Sequence, residues 1–198
     1  MNSVYDYLGI LAGILALCSF GFYYYAIFVG KATPNRVTWF VLTLVGAMIA
    51  SSYYSLGARE TIWVAIGYVA GPLFTFFLSL KYGEGGYTIL DQVCIALAFL
   101  GIIFWSITGS AFWTLLLSIF TDFIGIIPTI VKSYYRPDSE YLPAWLITFI
   151  VSILNILAIK DWEFTIYIYP IYMITFNGII LFLLCVPSFR NRIKLLLT

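Results

Sequence analysis

The sequence predicts an all-α membrane protein: seven transmembrane helices arranged as a 3+1+3 parallel repeat. Three observations carry this expectation. Of the 198 residues, 63% are hydrophobic and 10% charged, whereas a soluble domain carries roughly 25% charged residues because its surface faces water. Mean hydropathy is +1.00, and apolar runs of bilayer length recur between charged or turn-rich breaks. The second half of the chain also echoes the first.

Taken in order, the first span runs from about Tyr7 to Val29 and ends at Lys31. The second covers Val37 to Tyr54, the third Thr61 to Leu80, and the fourth Leu90 to Ile107. The fifth covers Ala111 to Val131, the sixth Leu142 to Ala158, and the seventh Thr165 to Leu184. Each is long enough to cross a hydrocarbon core of about 30 Å at ~1.5 Å per residue. Trp39 and Trp145 head spans two and six, and Trp105 and Trp113 flank the turn between spans four and five. These positions suit interfacial aromatic anchors. Thr88 and Asp91 match a helix-capping pattern at the start of span four. The short loops predict one domain. Its parts are a first triplet (7–86), a linker helix (87–110), a second triplet (111–186) and a cytoplasmic tail (187–198).

Orientation follows from the basic residues, which stay on the cytoplasmic side. With seven spans, the side of the N-terminus holds only Arg59 and Lys160. The other side holds Lys31, Arg36, Lys81, Lys132, Arg136, Arg190, Arg192 and Lys194. The expectation is an integral protein of the plasma (inner) membrane, N-terminus outside and C-terminus cytoplasmic. Only six residues precede the first span and none is basic, so that span is expected to be retained rather than cleaved.

Composition also excludes. Net charge is +1, too little to attract nucleic acid. There is no histidine, which removes the commonest general base and metal ligand. Cys18, Cys94 and Cys185 lie in separate apolar runs without ligand spacing and read as buried structural thiols. No metal, no cofactor and no enzymatic activity are expected.

The internal echo begins with two basic loops. Lys31-Ala32-Thr33-Pro34-Asn35-Arg36 leads to Trp39, and Lys132-Ser133, then Arg136-Pro137-Asp138-Ser139-Glu140, leads to Trp145. Spans three and seven carry mid-helix prolines, Pro72 and Pro170. Three spans reverse the side of the membrane, so a second triplet in the same orientation needs one linking helix. Span four fits that part, and a pathway between the triplets is the expected site.

These residues resemble the PQ-loop superfamily, which includes the MtN3/SWEET sugar carriers and cystinosin-type transporters. The likeness lies in Pro128-Thr129, Lys132-Ser133, Glu140, Pro143 and Trp145, with Thr129 where the family has Gln. Tyr53-Tyr54-Ser55-Leu56-Gly57 is similar to the end of a SWEET second helix, and Asn177 to the pocket Asn of the family. Span three has no matching Asn, and span one lacks the family's proline. The resemblance implies a SWEET/PQ-loop-like fold and a carrier of a small solute such as a sugar.

Asp122 is the most informative residue, since a carboxylate in mid-span costs about 2.5–3.5 kcal/mol to insert and must face protein or water. Ser118 lies one turn away on the same face. Asp122 reads as a substrate ligand or proton-carrying carboxyl, or else as a structural acid tying two helices. Asn177 and Asn155 read as pathway residues or as interhelical glue. Tyr68 and Thr75 are the groups in span three that could replace the absent Asn. Pro72, Pro128 and Pro170 each remove a helix hydrogen bond and read as hinges or as static bends. The expected function is alternating access through a midplane site, proton-coupled through Asp122 or not. The alternative is a non-transporting receptor or sensor on the same scaffold. Small-molecule substrate and lipid are the expected partners, and homo-oligomerisation is left open.

Overall fold

The computed structural model describes residues 3–32, 34, 36–83, 88–135, 137 and 140–196. Side chains are described at these positions except 38, 90, 91, 94, 105, 128, 131, 132 and 187–196. Among the described residues the secondary structure is helical, without strands. The helices are α1 (Val4–Phe28), α2 (Arg36–Ser55), α3 (Ile62–Tyr82), α4 (Ile89–Thr108), α5 (Ala111–Tyr135), α6 (Leu142–Leu157) and α7 (Phe164–Leu196). Segments Val4–Phe28, Ile62–Tyr82 and Phe164–Val186 are long and apolar enough to cross a membrane, and shorter apolar helices accompany them.

The ends follow local chemistry. Ser3 and Asp6 form a reciprocal cap on α1: the Asp6 amide donates to Ser3 Oγ (3.4 Å) and the Ser3 amide to Asp6 Oδ2 (2.6 Å). Gly30, Gly57 and Gly109 take positive φ in the turns that close α1, α2 and α4. The Thr88–Asp91 cap rests on a side chain outside the described set, although the Gln92 amide does donate to the Thr88 carbonyl (3.1 Å). Helix α7 continues past the expected end at Leu184 to Leu196, so the predicted tail is largely helical.

Packing has a regular pattern. Helix α3 contacts both α1 and α2, and α7 contacts both α5 and α6. Helix α1 also meets α6, α2 meets α5, and α4 lies against α5 and α2. Small residues bring α1 close to α3 and the turn before it, with rings packed alongside, Phe20 on Tyr68 at 5.7 Å and Tyr24 on Phe74 at 5.0 Å. Gly9 abuts the Glu60 carbonyl, a Cβ at Gly13 would lie 2.8 Å from the Trp63 carbonyl oxygen, and one at Gly67 would meet Ala16 at 3.1 Å. Such spacing lets two backbones approach closely. The α5–α7 contact is made by rings and polar groups, including Phe123 against Phe176 at 5.3 Å.

The carbonyls four residues before Pro72 in α3 and Pro170 in α7 both meet α2. Proline supplies no N–H to the carbonyl four residues back. For Pro170 that carbonyl is Ile166, and it accepts the Tyr53 hydroxyl of α2 at 2.8 Å. For Pro72 it is Tyr68, against which Gly46 of α2 packs with no room for a side chain. Arg36, at the start of α2, donates to the Ser79 (3.0 Å) and Gly83 (2.8 Å) carbonyls at the end of α3. A guanidinium there bonds carbonyls at the negative end of the helix dipole.

One expectation is corrected, and the Cys94 side chain it also named lies outside the described set. Cys18 is exposed on the outer face of the bundle and Cys185 is half-buried, so neither is a core thiol. An apolar span presents such residues outward as readily as inward. Trp39 packs on Tyr23 (5.0 Å) and edge-on to Phe20 (6.2 Å), half-buried within the bundle. Trp145 Nε1 donates to Glu140 Oε2 (3.1 Å).

Candidate functional site

The polar groups of the helix interiors fall into two sets. The first satisfies its own helix. Thr114, Ser118 and Thr121 are buried along α5 and donate to the carbonyls of Ser110, Thr114 and Leu117 at 2.7–3.0 Å. Ser118, expected beside the acid, thus spends its hydroxyl on the backbone. Thr75 is fully buried and donates to the Gly71 carbonyl (2.9 Å), which also accepts from Tyr24 of α1 (2.9 Å). The Thr75 hydroxyl therefore serves the backbone beside Pro72. Pro128 lies inside α5, and its side chain is outside the described set.

The second set crosses between helices. Asp122 of α5 accepts the Tyr172 hydroxyl of α7 at 2.6 Å. Tyr172 is buried, whereas Asp122 keeps some accessible surface. Tyr68 of α3 and Tyr169 of α7 lie close enough to feel the charge of that carboxylate. The Tyr68 hydroxyl lies beside Thr148 of α6 and Asn177 of α7, yet its oxygen is buried and makes no hydrogen bond. Asn177 donates to Ser152 Oγ of α6 at 2.9 Å. Asn155, fully buried, makes a long contact from Nδ2 to Met173 Sδ (3.9 Å), and its Oδ1 is without a partner. Buried polar atoms left open are uncommon in native proteins and mark places where water or a ligand completes the bonding.

Aromatic rings wall this set. Tyr53 meets Tyr169 edge-on at 5.8 Å, Tyr169 stacks on Tyr172 at 6.2 Å, Tyr172 meets Phe176 at 4.9 Å, and Phe176 reaches Phe123. The ladder runs from α2 along α7 to α5, with the acid on its flank.

The structure therefore brings Asp122, Tyr68 and Asn177 together and sets Asn155 on the same α6 face as Ser152, while Thr75 and Ser118 serve their own backbones. Sequence reasoning missed Tyr172, Tyr169, Thr148 and Ser152. For α6 a signal was present: Thr148, Ser152 and Asn155 follow at spacings of four and three, one polar stripe on an otherwise apolar helix. No such signal singled out Tyr172, since a span rich in tyrosine reads as interface belt. Comparison with protein-family models, with curated proteins and with solved structures gives no match to this chain.

Proposed function

We propose that this protein is a membrane carrier for a small solute, working by alternating access. In this reading α1–α3 and α5–α7 are two equivalent triplets, α4 links them, and the solute site lies between them at Asp122. The single observation that carries the proposal is the Asp122–Tyr172 contact. It is an ionisable group deep in an apolar bundle, partly accessible, near a buried phenol oxygen that lacks a partner. Ionisable groups in such a position are expensive and characteristically functional.

The packing pattern supports the twin-triplet reading. In each set the third helix touches its first and second, and the first helix of each set meets the second of the other. An approximate two-fold axis along the membrane normal generates such a pattern, as in parallel-repeat carriers. The basic bias of the loops supports an external N-terminus and a cytoplasmic C-terminus. The hydrogen-bond gap at Pro170, bridged by Tyr53, gives α7 a place to flex beside the site.

The proposal is tested by counterflow in liposomes holding the purified protein, with a panel of labelled small metabolites. At least one solute exchanges, and Asp122→Asn abolishes that exchange while the variant stays folded. Unchanged exchange by Asp122→Asn removes the acid from the mechanism. Saturable binding of a solute with no exchange identifies a receptor or sensor instead.

A further inference from the structure

We propose that the Asp122 site takes a small organic cation, a solute bearing an ammonium group, in preference to a neutral polyol. This rests on the carrier reading above and adds the class of solute. Two features of the site point the same way.

The first is a carboxyl group without a cationic neighbour among the described residues. Among the described residues the hydrogen bond to the Asp122 carboxylate comes from the neutral Tyr172 phenol. The chain has no histidine, and the nearest basic residue along α5 is Lys132, ten positions on, about 15 Å of helix rise away. A cationic solute supplies the missing partner through charge-assisted hydrogen bonds.

The second is the wall. Tyr169, Tyr172, Phe176 and Phe123 form a continuous run of rings, joined at the carboxylate by the Tyr172 hydroxyl. Ring faces attract ammonium groups, more strongly where water is excluded.

The test uses the purified full-length protein in detergent, with its melting temperature followed against choline, ethanolamine and tetramethylammonium. Glucose and 3,3-dimethyl-1-butanol, the neutral isostere of choline, serve as the comparison. At least one cation stabilises saturably, and the neutral isostere needs about tenfold or more higher concentration, as loss of a charge-assisted and cation–π contact implies. Asp122→Asn removes the cation response. Phe176→Leu, which keeps apolar volume but loses the ring, weakens it severalfold and decides the matter where Asp122→Asn fails to fold. Equal stabilisation by the isostere, preference for glucose, a cation response untouched by both variants, or no saturable response to any of the three cations overturns the inference. Glucose exchange through liposomes that depends on Asp122 sinks the cation inference and leaves the carrier reading intact. Cation binding without exchange does the reverse.

Discussion

A single hydrogen bond between α5 and α7 lies at the centre of the candidate site. The Tyr172 phenol holds a carboxylate that has no cationic neighbour among the described residues, so its removal should be felt. Tyr172→Phe is expected to lower stability by about 1–3 kcal/mol, the range for losing a bond to a charged or buried group. Thermal unfolding beside a Tyr167→Phe control on the same helix measures this, and equal melting of the two variants contradicts it. Asp122 and Asn177 were legible in the sequence because a carboxylate or amide within an apolar run is costly unless it faces a partner or water. Their partners were not legible. Which hydroxyl faces which acid depends on helix rotation and tilt, and a hydropathy pattern averaged over a whole span carries neither. The small cap at Ser3 and Asp6 could have been read, since its spacing lies in plain view.

Among the elements, both triplets join their first and third helices by rings and a polar bond, and the first triplet adds close glycine contacts. Helices α1 and α3 share Gly13 and Gly67 besides the Phe20–Tyr68 rings and the Tyr24 hydroxyl on the Gly71 carbonyl, whereas α5 and α7 meet through Phe123–Phe176 and the Asp122–Tyr172 bond. A side chain at Gly13 must push against the Trp63 backbone, which cannot swing aside. Gly13→Val is therefore expected to cost about 1–3 kcal/mol, as overpacking generally does, whereas Gly21→Val, with open space around it, costs far less of this strain. Comparing the melting temperatures checks the difference. The open carbonyl below Pro170 gives a second prediction. Tyr53→Phe leaves the Ile166 carbonyl without its bridging donor, at a cost of about 1–3 kcal/mol. Hydrogen exchange should then rise in α7 around residues 166–170 before it rises in α3, and unchanged protection would refute the bridge. The prolines themselves stood out in the sequence. That α2 meets the backbone at both Pro72 and Pro170 did not, because nothing local to Tyr53 or Gly46 announces a carbonyl in a different helix.

For the whole molecule, element number and order were legible because charged breaks punctuate apolar runs. Most helix ends fall within a few residues of the breaks, and α7 overran because a drop in hydropathy does not by itself halt a helix. Which helices touch was not written in hydropathy, yet the proposed twin-triplet pattern had its hint in the repeated basic loop and the paired prolines. The proposed orientation gives a direct prediction. In a cysteine-free background, Lys160→Cys reacts with an impermeant thiol reagent applied outside intact cells, and Lys31→Cys reacts only after the membrane is opened. The reverse result inverts the topology.

The central claim is that a wet pathway between the triplets reaches Asp122. Asp122→Cys in the same background, challenged with a small charged methanethiosulfonate from either face of oriented vesicles, tests it most directly. Modification from both faces, slowed by the transported solute, is the expected result. A thiol inert from both faces, in a protein shown to be folded, would mean that the triplets are packed dry and that Asp122 is a structural acid.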